Sequence, residues 1–369
     1  MGRIIFGYIF RELWSPFLIS LFSLTSLLLT IRMIPLSGLL LKERAGVSEF
    51  FQVFQSLYPY FLVFCLPMSA LVASLVAFLR LSQDSELLAF EALGVSFYEL
   101  LAPVTTFALI VFSLTMLVTV YVLPQSKANF RQFMRHLLSQ KIARGLPEKT
   151  FASEIPGLTI YAGQTHGGGL RLREVFLYDG RKKDPESLIL AQSGRIDPKG
   201  PTLILKDGVI HRFYQKQDKG EIIRFGTMTI KLTLGAPPGT AKRRGEMGLL
   251  ELRERAKDFP PGSKRRLKLE SEFHKRLAFP FASIIFSILG AALAAQIKGS
   301  GRSAGVSLAV ILFLLYYGAL AGATGLAETG RIPPVLSLWL PNIFFGLLSG
   351  GLVLLSGQSL KITLGRKKP

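Results

Sequence analysis

Between Arg80 and Glu99 the chain runs RLSQDSELLAFEALGVSFYE, which sets Asp84, Glu86, Glu91 and Glu99 against one cation, Arg80. Carboxylates spaced this way can cap a helix or receive a basic side chain from another polypeptide. The surroundings are apolar: no charged residue occurs in Phe50–Leu79 before the run or in Leu100–Ser126 after it. At about 100° per residue, Asp84 set at 0° puts Glu91 at about 340°, on the same face, and Glu86 at about 200°. Glu86 then lies inside an apolar arc of Ala89, Leu93 and Phe90. Ser82 can cap this helix, acids in its first turn suit the helix dipole, and Gly94 can end it. Helix-end chemistry accounts for Asp84, and a solvated face accounts for Glu91. Neither accounts for a carboxylate amid Leu93, Phe90 and Ala89. If that face is buried, Glu86 needs a cation, and breaking such a pair costs about 3–5 kcal/mol. The expectation is an Arg or Lys from another chain, docked on a face built by Glu86, Asp84, Leu87, Phe90 and Leu93.

Other chemistry is missing from the sequence. There is no G-x-x-x-x-G-K-[ST] phosphate loop, and GAPPGTAK (Gly235–Lys242) has the wrong spacing. His136, His166, His211 and His274 are scattered, without the spacing or the cysteine partners of a metal site. No G-x-S-x-G elbow occurs, and Gly167–Gly169 suits a hairpin tip better than a phosphate cradle. The reading is a protein with no active site, metal or cofactor of its own. The one cysteine, Cys65, sits in an apolar stretch and is expected to be a small hydrophobe.

The elements around the acidic run are membrane spans. The chain has 369 residues, 49% of them hydrophobic, and yet a formal charge of +20. That combination excludes an ordinary soluble enzyme and suits a membrane protein with a polar domain. Charged residues delimit six apolar windows: Leu13–Ile31, Phe50–Leu79, Leu100–Ser126, Leu277–Ile297, Ser303–Ala327 and Ile332–Leu360. Each approaches or exceeds the roughly 20 residues a helix needs to cross the hydrocarbon core. The first is too long for a signal-peptide core, and no small-x-small cleavage site follows it. Met1–Glu12 mixes Arg3 and Arg11 with Ile, Phe and Tyr, so it is expected to lie in the membrane interface.

An even number of spans puts both termini on one side. With the N-terminus in the cytoplasm, the short inner segments hold Arg3, Arg11, Arg80, Lys298, Arg302, Lys361, Arg366, Lys367 and Lys368. The short outer segments hold only Lys42, Arg44, Arg331 and the membrane-edge Arg32, which favours that orientation. The span interiors carry no acid or histidine, which counts against an ion-coupled carrier. Arg32 ends the first span at its outer face, before Pro35 and Gly38. A snorkelling anchor is its commoner role. Its functional role would be a cation for an anionic ligand entering from the outer half of the bilayer. Glu328 and Arg331 flank the turn before the last span and are expected to be structural.

The segment Lys127–Arg276, between the third and fourth spans, carries most of the positive charge and is placed outside, so the charge does not imply nucleic acid. Lys127–Gly145 continues the third span as a helix. Residues of about 150–235 then alternate short β-rich runs (TFASEI, LTIYAGQ, REVFLYDG, SLILAQSGRI, TLILKDGVIHRFYQ, EIIRFGTMTIKL) with turn residues at Gly167–Gly169, Asp179-Gly180, Asp207-Gly208 and Lys219-Gly220. That pattern predicts one small sandwich, barrel or jelly roll. Gly248–Lys257 can form a helix, and Lys264, Arg265, Arg266 and Lys268 suit either a solvated flank or anionic head groups. The expected division is 1–126 for the N-terminal membrane half with a docking helix at 81–94, 127–267 for the inserted domain, and 268–369 for the C-terminal membrane half.

Four stretches in the right order give the chain a family resemblance: RLSQDSELLAFEALGVS after span two, EFHKRLAFPFASIIFSILG (Glu272–Gly290) opening span four, GRSAGVS (Gly301–Ser307) opening span five, and WLPN (Trp339–Asn342) in span six. Together they resemble the LptF/LptG permeases, membrane subunits of the exporter that extracts lipopolysaccharide. IPGLTIYAG and REVFLYDG look closer to the LptF branch. The resemblance implies a helical inner-membrane protein of six transmembrane helices with an inserted all-β periplasmic domain of jelly-roll type. It implies that the helix after span two couples to a cytoplasmic ATPase dimer holding ATP and Mg, with Glu86 in the coupling position. It places Arg32 against the acidic head of the lipid. It implies a sister permease, with first and fifth spans forming lateral gates, and a periplasmic bridge of LptC/LptA-like folds. The competing class is a membrane-anchored structural or signalling protein displaying a β-domain. Such a protein needs one or two spans, and six weigh against it. An exporter of another anionic lipid is the nearer alternative.

Overall fold

The computed structural model describes residues 2–42, 47–143, 148–155, 157–181, 186–197, 202–214, 219–232, 242–297 and 302–365. Arg44, Lys298, Arg366, Lys367, Lys368 and most of GAPPGTAK lie outside the described residues. Contacts divide the chain into two units, Met1–Phe130 with Lys242–Pro369, and Arg131–Ala241.

The first unit holds helices α1 (Arg3–Lys42), α2 (Val47–Gln83), α3 (Glu86–Ala92), α4 (Phe97–Leu117), a wide turn at Val118–Val122 and the start of α5 (Leu123–Ala143). After the insertion come α6 (Leu249–Lys257), α7 (Lys264–Gln296), α8 (Arg302–Glu328) and α9 (Pro334–Gly365). Six of the described stretches are long and apolar enough to cross a membrane: Arg3–Pro35, Phe50–Gln83, Phe97–Met134, Lys264–Gln296, Gly305–Glu328 and Pro334–Gly357. The expected interfacial segment Met1–Glu12 does not exist as a separate element, because α1 is continuous from Arg3. Ile9, Leu13 and Phe17 recur every four residues on one stripe and are buried, so the stripe starts inside the basic segment. At 40 residues α1 is about 60 Å long, roughly twice the hydrocarbon thickness.

Helices α2 and α7 form the centre. In α2, 78% of the apolar window is buried, against 17% in α1 and 22% in α8, whose outer faces stay apolar and open. Leu71, Leu75 and Phe78 of α2 pack with Phe286 and Leu289 of α7. Gly290 lets the two backbones approach: a Cβ there would lie 2.8 Å from the Leu71 carbonyl oxygen and 3.0 Å from the Leu75 nitrogen. A β-carbon therefore forces the helices apart. The quoted WLPN stretch has a similar structural use. Asn342 donates Nδ2–H to the Ala278 carbonyl at 2.7 Å and accepts from Tyr316 Oη at 2.8 Å, which ties α7, α8 and α9 together.

Helix α6 was expected to belong to the inserted domain, which was drawn from 127 to 267. Its buried Leu252 and Ala256 instead pack with Met247, Leu269 and Phe273. The segment from Lys242 onward therefore lies in the membrane unit.

The second unit is one antiparallel sheet in the order β1 (Ala152–Ile155), β2 (Leu158–His166), β3 (Arg171–Asp179), β4 (Glu186–Asp197), β5 (Thr202–Tyr214) and β6 (Lys219–Lys231). Every strand pairs with its sequence neighbour, so the described strands make an open meander. The crossover of a strict jelly roll is not among them. A line of irregularities crosses the sheet. Regular pairs flank, but skip, Gly163 opposite Glu174, Gln192 opposite both Glu174 and Asp207, and Asp207 opposite Gly226. Glu174 and Asp207 have φ values of 54° and 51°, in the left-handed region. Burial changes parity at this line: Leu172 then Val175 and Leu177 in β3, Ile189 and Ala191 then Gly194 and Ile196 in β4, Leu203 and Leu205 then Ile210 in β5. Each strand turns a corner there, and both arms face one core. Turn residues Asp207-Gly208 were expected to end a strand. They sit mid-strand because the corner needs a left-handed residue, and a Cβ at Gly208 would meet the Leu190 carbonyl oxygen at 2.4 Å. Lys219-Gly220, also expected as a turn, opens β6. Gly167–Gly169 is the hairpin tip expected, with φ positive at all three.

Candidate functional site

The acidic run forms a corner rather than a single helix. Helix α2 continues through Gln83, and Asp84 N–H still bonds the Arg80 carbonyl at 2.9 Å. Ser85 then adopts a left-handed conformation, φ 60°, and α3 starts afresh at Glu86. This corrects the expected caps: Ser82 lies inside α2, and no side chain caps α3. Asp84 closes the end of α2, and its carboxylate takes Arg80 Nε at 3.4 Å. Arg80 also pairs with Glu12 of α1. At the other end Gly94, φ 83°, stops α3, with Gly94 N–H bonding the Glu91 carbonyl at 2.8 Å and Val95 N–H the Phe90 carbonyl at 3.0 Å. Ser96 accepts from the Glu99 amide and caps α4.

The break at Ser85 resets which side chains face out. Leu87, expected on the docking face, is 8% exposed and packs in the same core as Ile9 and Leu13. Leu93 is 77% exposed, as a docking residue requires, and Leu88, not singled out in the sequence, is 59% exposed. Ala89 is exposed and Phe90 half-buried. The open face is thus Leu88, Ala89 and Leu93, with Glu86 half-buried at its edge. Glu86 is not short of an intrachain partner: Tyr8 donates its phenolic O–H to Glu86 Oε2 at 2.7 Å. Among the described residues no Lys or Arg forms an ion pair with Glu86. Sequence reasoning missed Tyr8 because it lies 78 positions away.

Helices α1 and α2 also line an open cavity of about 650 Å³. Its wall includes Leu21, Phe22, Leu29, Met33, Phe54 and Tyr58, with Thr25, Ser26, Thr30 and Ser37 as polar points. Thr30 and Ser37 donate to the carbonyls of Ser26 and Ile34, both at 2.8 Å, so these hydroxyls are satisfied within their own helix. The cavity is the size and polarity of a site for apolar chains. Arg32 is exposed, within one turn of Leu29, and does not line the cavity itself. Lys42 ends α1, and Arg44 beyond it is not described.

A second charged cluster was not foreseen. Arg276 is 2% exposed. It donates to the Met247 carbonyl at 2.6 Å, the Arg244 carbonyl at 3.0 Å and Glu272 Oε1 at 3.0 Å, which engages all three nitrogens of its planar fork. Arg244 itself pairs with Glu328 at the end of α8, in keeping with the structural role expected of that acid. The Glu272–Arg276 spacing of four was the available signal, but burial is invisible in sequence. In the cluster before span four, Arg266 pairs with Glu270 at 2.7 Å and Arg265 lies over the Phe259 ring. Half of that cluster therefore has intrachain partners.

Six apolar helices and an inserted sheet define an integral membrane protein. No curated protein matches the chain. The family model described as lipopolysaccharide export system permease LptF/LptG matches residues 7–355, and the chain belongs to that family. The match covers both branches and does not separate LptF from LptG. The family is one of permeases within a transport system, not of catalysts.

Proposed function

We propose that this chain is the permease subunit of an ABC exporter that takes lipopolysaccharide from the inner membrane and hands it to a periplasmic bridge. The observation that carries the reading is the α3 corner: Leu88 and Leu93 stay exposed beside a carboxylate whose Oε1 meets no cation among the described residues. An apolar patch edged by an incompletely paired charge suits a protein partner. That partner is a cytoplasmic ATPase dimer carrying ATP and Mg, and a basic side chain of it meets Glu86. Both termini are then cytoplasmic and the sheet periplasmic. A sister permease covers the apolar outer faces of α1 and α8. Acyl chains occupy the α1–α2 cavity, with Arg32 at its rim to meet the lipid's acidic head. Among the described strands β1 and β6 are the edges, and an edge strand is a natural joint to LptC/LptA-like folds. Within the family we place the chain on the LptF branch, on the strength of IPGLTIYAG and REVFLYDG.

The test is Glu86→Ala in the assembled complex, reconstituted in vesicles with lipopolysaccharide. The reading expects ATP-driven extraction to fall at least tenfold, as befits loss of a desolvated charge contact of about 2 kcal/mol or more. Extraction at the wild-type rate removes the coupling role. Arg32→Glu is expected to abolish lipid crosslinking near residue 32, and unchanged crosslinking removes it as a lipid contact.

A further inference from the structure

Two side chains of α1, one turn apart, hold the corner after α2 from the same face. Tyr8 bonds Glu86, and Glu12 pairs with Arg80, which in turn holds Asp84. Between them Ile9 shares a buried core with Leu87, the first inward residue of α3. The base of α1 is thus fastened to both sides of the Ser85 break. Its upper part is the cavity wall: Met33 lies 25 residues beyond Tyr8, about 37 Å along a continuous helix.

A carboxylate has two oxygens, and Tyr8 uses one. A neutral O–H donor fixes the plane of the carboxylate without supplying a cation. This differs from Arg80, a cation bound to two other acids. We propose that Tyr8 is a positioning residue for coupling: it orients Glu86 so that Oε1 receives the ATPase's cation, and it links that contact to α1, the helix that walls the lipid cavity. The inference rests on the docking role proposed for Glu86. A push on α3 is carried to the cavity by one continuous helix, with Pro16 lying between the Tyr8 and Glu12 contacts and the cavity wall, not by a loop.

Tyr8→Phe removes one oxygen and keeps the ring, so it isolates the hydrogen bond. The experiment uses the full complex in vesicles and measures lipopolysaccharide released per ATP hydrolysed, normalised to assembled complex. Tyr8→Phe is expected to lower that ratio about three- to tenfold, the scale of a hydrogen bond to a charged group. Glu86→Gln is made alone and together with Tyr8→Phe. If Tyr8 acts through Glu86, the double variant is no worse than Glu86→Gln alone. An unchanged ratio in Tyr8→Phe overturns the inference, as does a fall in assembly with normal coupling per complex. Additive losses overturn it too, because they show Tyr8 acting elsewhere. Wild-type coupling in Glu86→Gln sinks the docking reading along with the inference. Impaired Glu86→Gln with normal Tyr8→Phe sinks the inference alone.

Discussion

Arg80–Asp84 and Glu272–Arg276 are both acid–base pairs four residues apart on the ends of membrane helices, yet the structure uses them in opposite ways. In the first pair the side chains are 41% and 49% exposed; in the second Glu272 is 14% and Arg276 2% exposed. Water screens the first, and such pairs contribute about 0–1 kcal/mol. The second is dry and engaged at every guanidinium nitrogen: Arg276 also holds two backbone carbonyls of the segment returning from the insertion. It therefore fastens the scaffold, and removing one member strands the other in a dry site. The lesson is that spacing alone does not separate a fastening from a working surface; burial and remaining hydrogen-bond capacity do. At the Arg80 corner capacity is left over, in Glu86 Oε1 and the open leucines, and that is where a partner can be received.

The largest effect that would break this contrast belongs to Arg276. Arg276→Ala is expected to destabilise the membrane unit by about 3–5 kcal/mol, read as a lowered unfolding midpoint in detergent. A loss near that of a surface substitution would put both pairs in one class. Leu93→Ser should behave in the reverse sense. It is expected to leave the unfolding midpoint within error and to weaken ATPase association about tenfold, as loss of a buried leucine contact of about 1.5 kcal/mol predicts. A binding titration against detergent-solubilised permease complex reads this, and a shifted midpoint with normal binding would move Leu93 into the scaffold. The smallest effect is expected for Asp84→Asn, a change within about 0.5 kcal/mol in the same unfolding assay. A larger change would show the Arg80 corner to be a fastening after all.

Much of the membrane unit was legible because its signal is one-dimensional. A window such as Phe50–Leu79 announces a span by having no charge, and α2 covers it. The strands were legible as runs of β-branched residues, but Asp207-Gly208 misled. The same backbone conformation serves a hairpin turn and a corner inside a strand, and only the cross-strand line of Glu174, Gln192 and Asp207 tells them apart. Glu86 stood out on the helical wheel, and it does lie at the edge of an exposed face. Leu87 did not belong on that face: on the same wheel it falls at about 300°, outside the arc of Ala89, Leu93 and Phe90, and it turns inward onto the core. Tyr8 and Arg276 were invisible for a different reason. Their roles depend on contacts to Glu86 and Met247 that tertiary packing alone creates.

The central claim, that the exposed face of α3 receives the ATPase, is tested most directly by photo-crosslinking in intact membranes. A photoreactive phenylalanine analogue replaces Leu93, and, as a control, the equally exposed Leu250 of α6. The account predicts a covalent adduct between position 93 and the cytoplasmic ATPase, and none from position 250. No ATPase adduct from 93, or equal adducts from both positions, would contradict it.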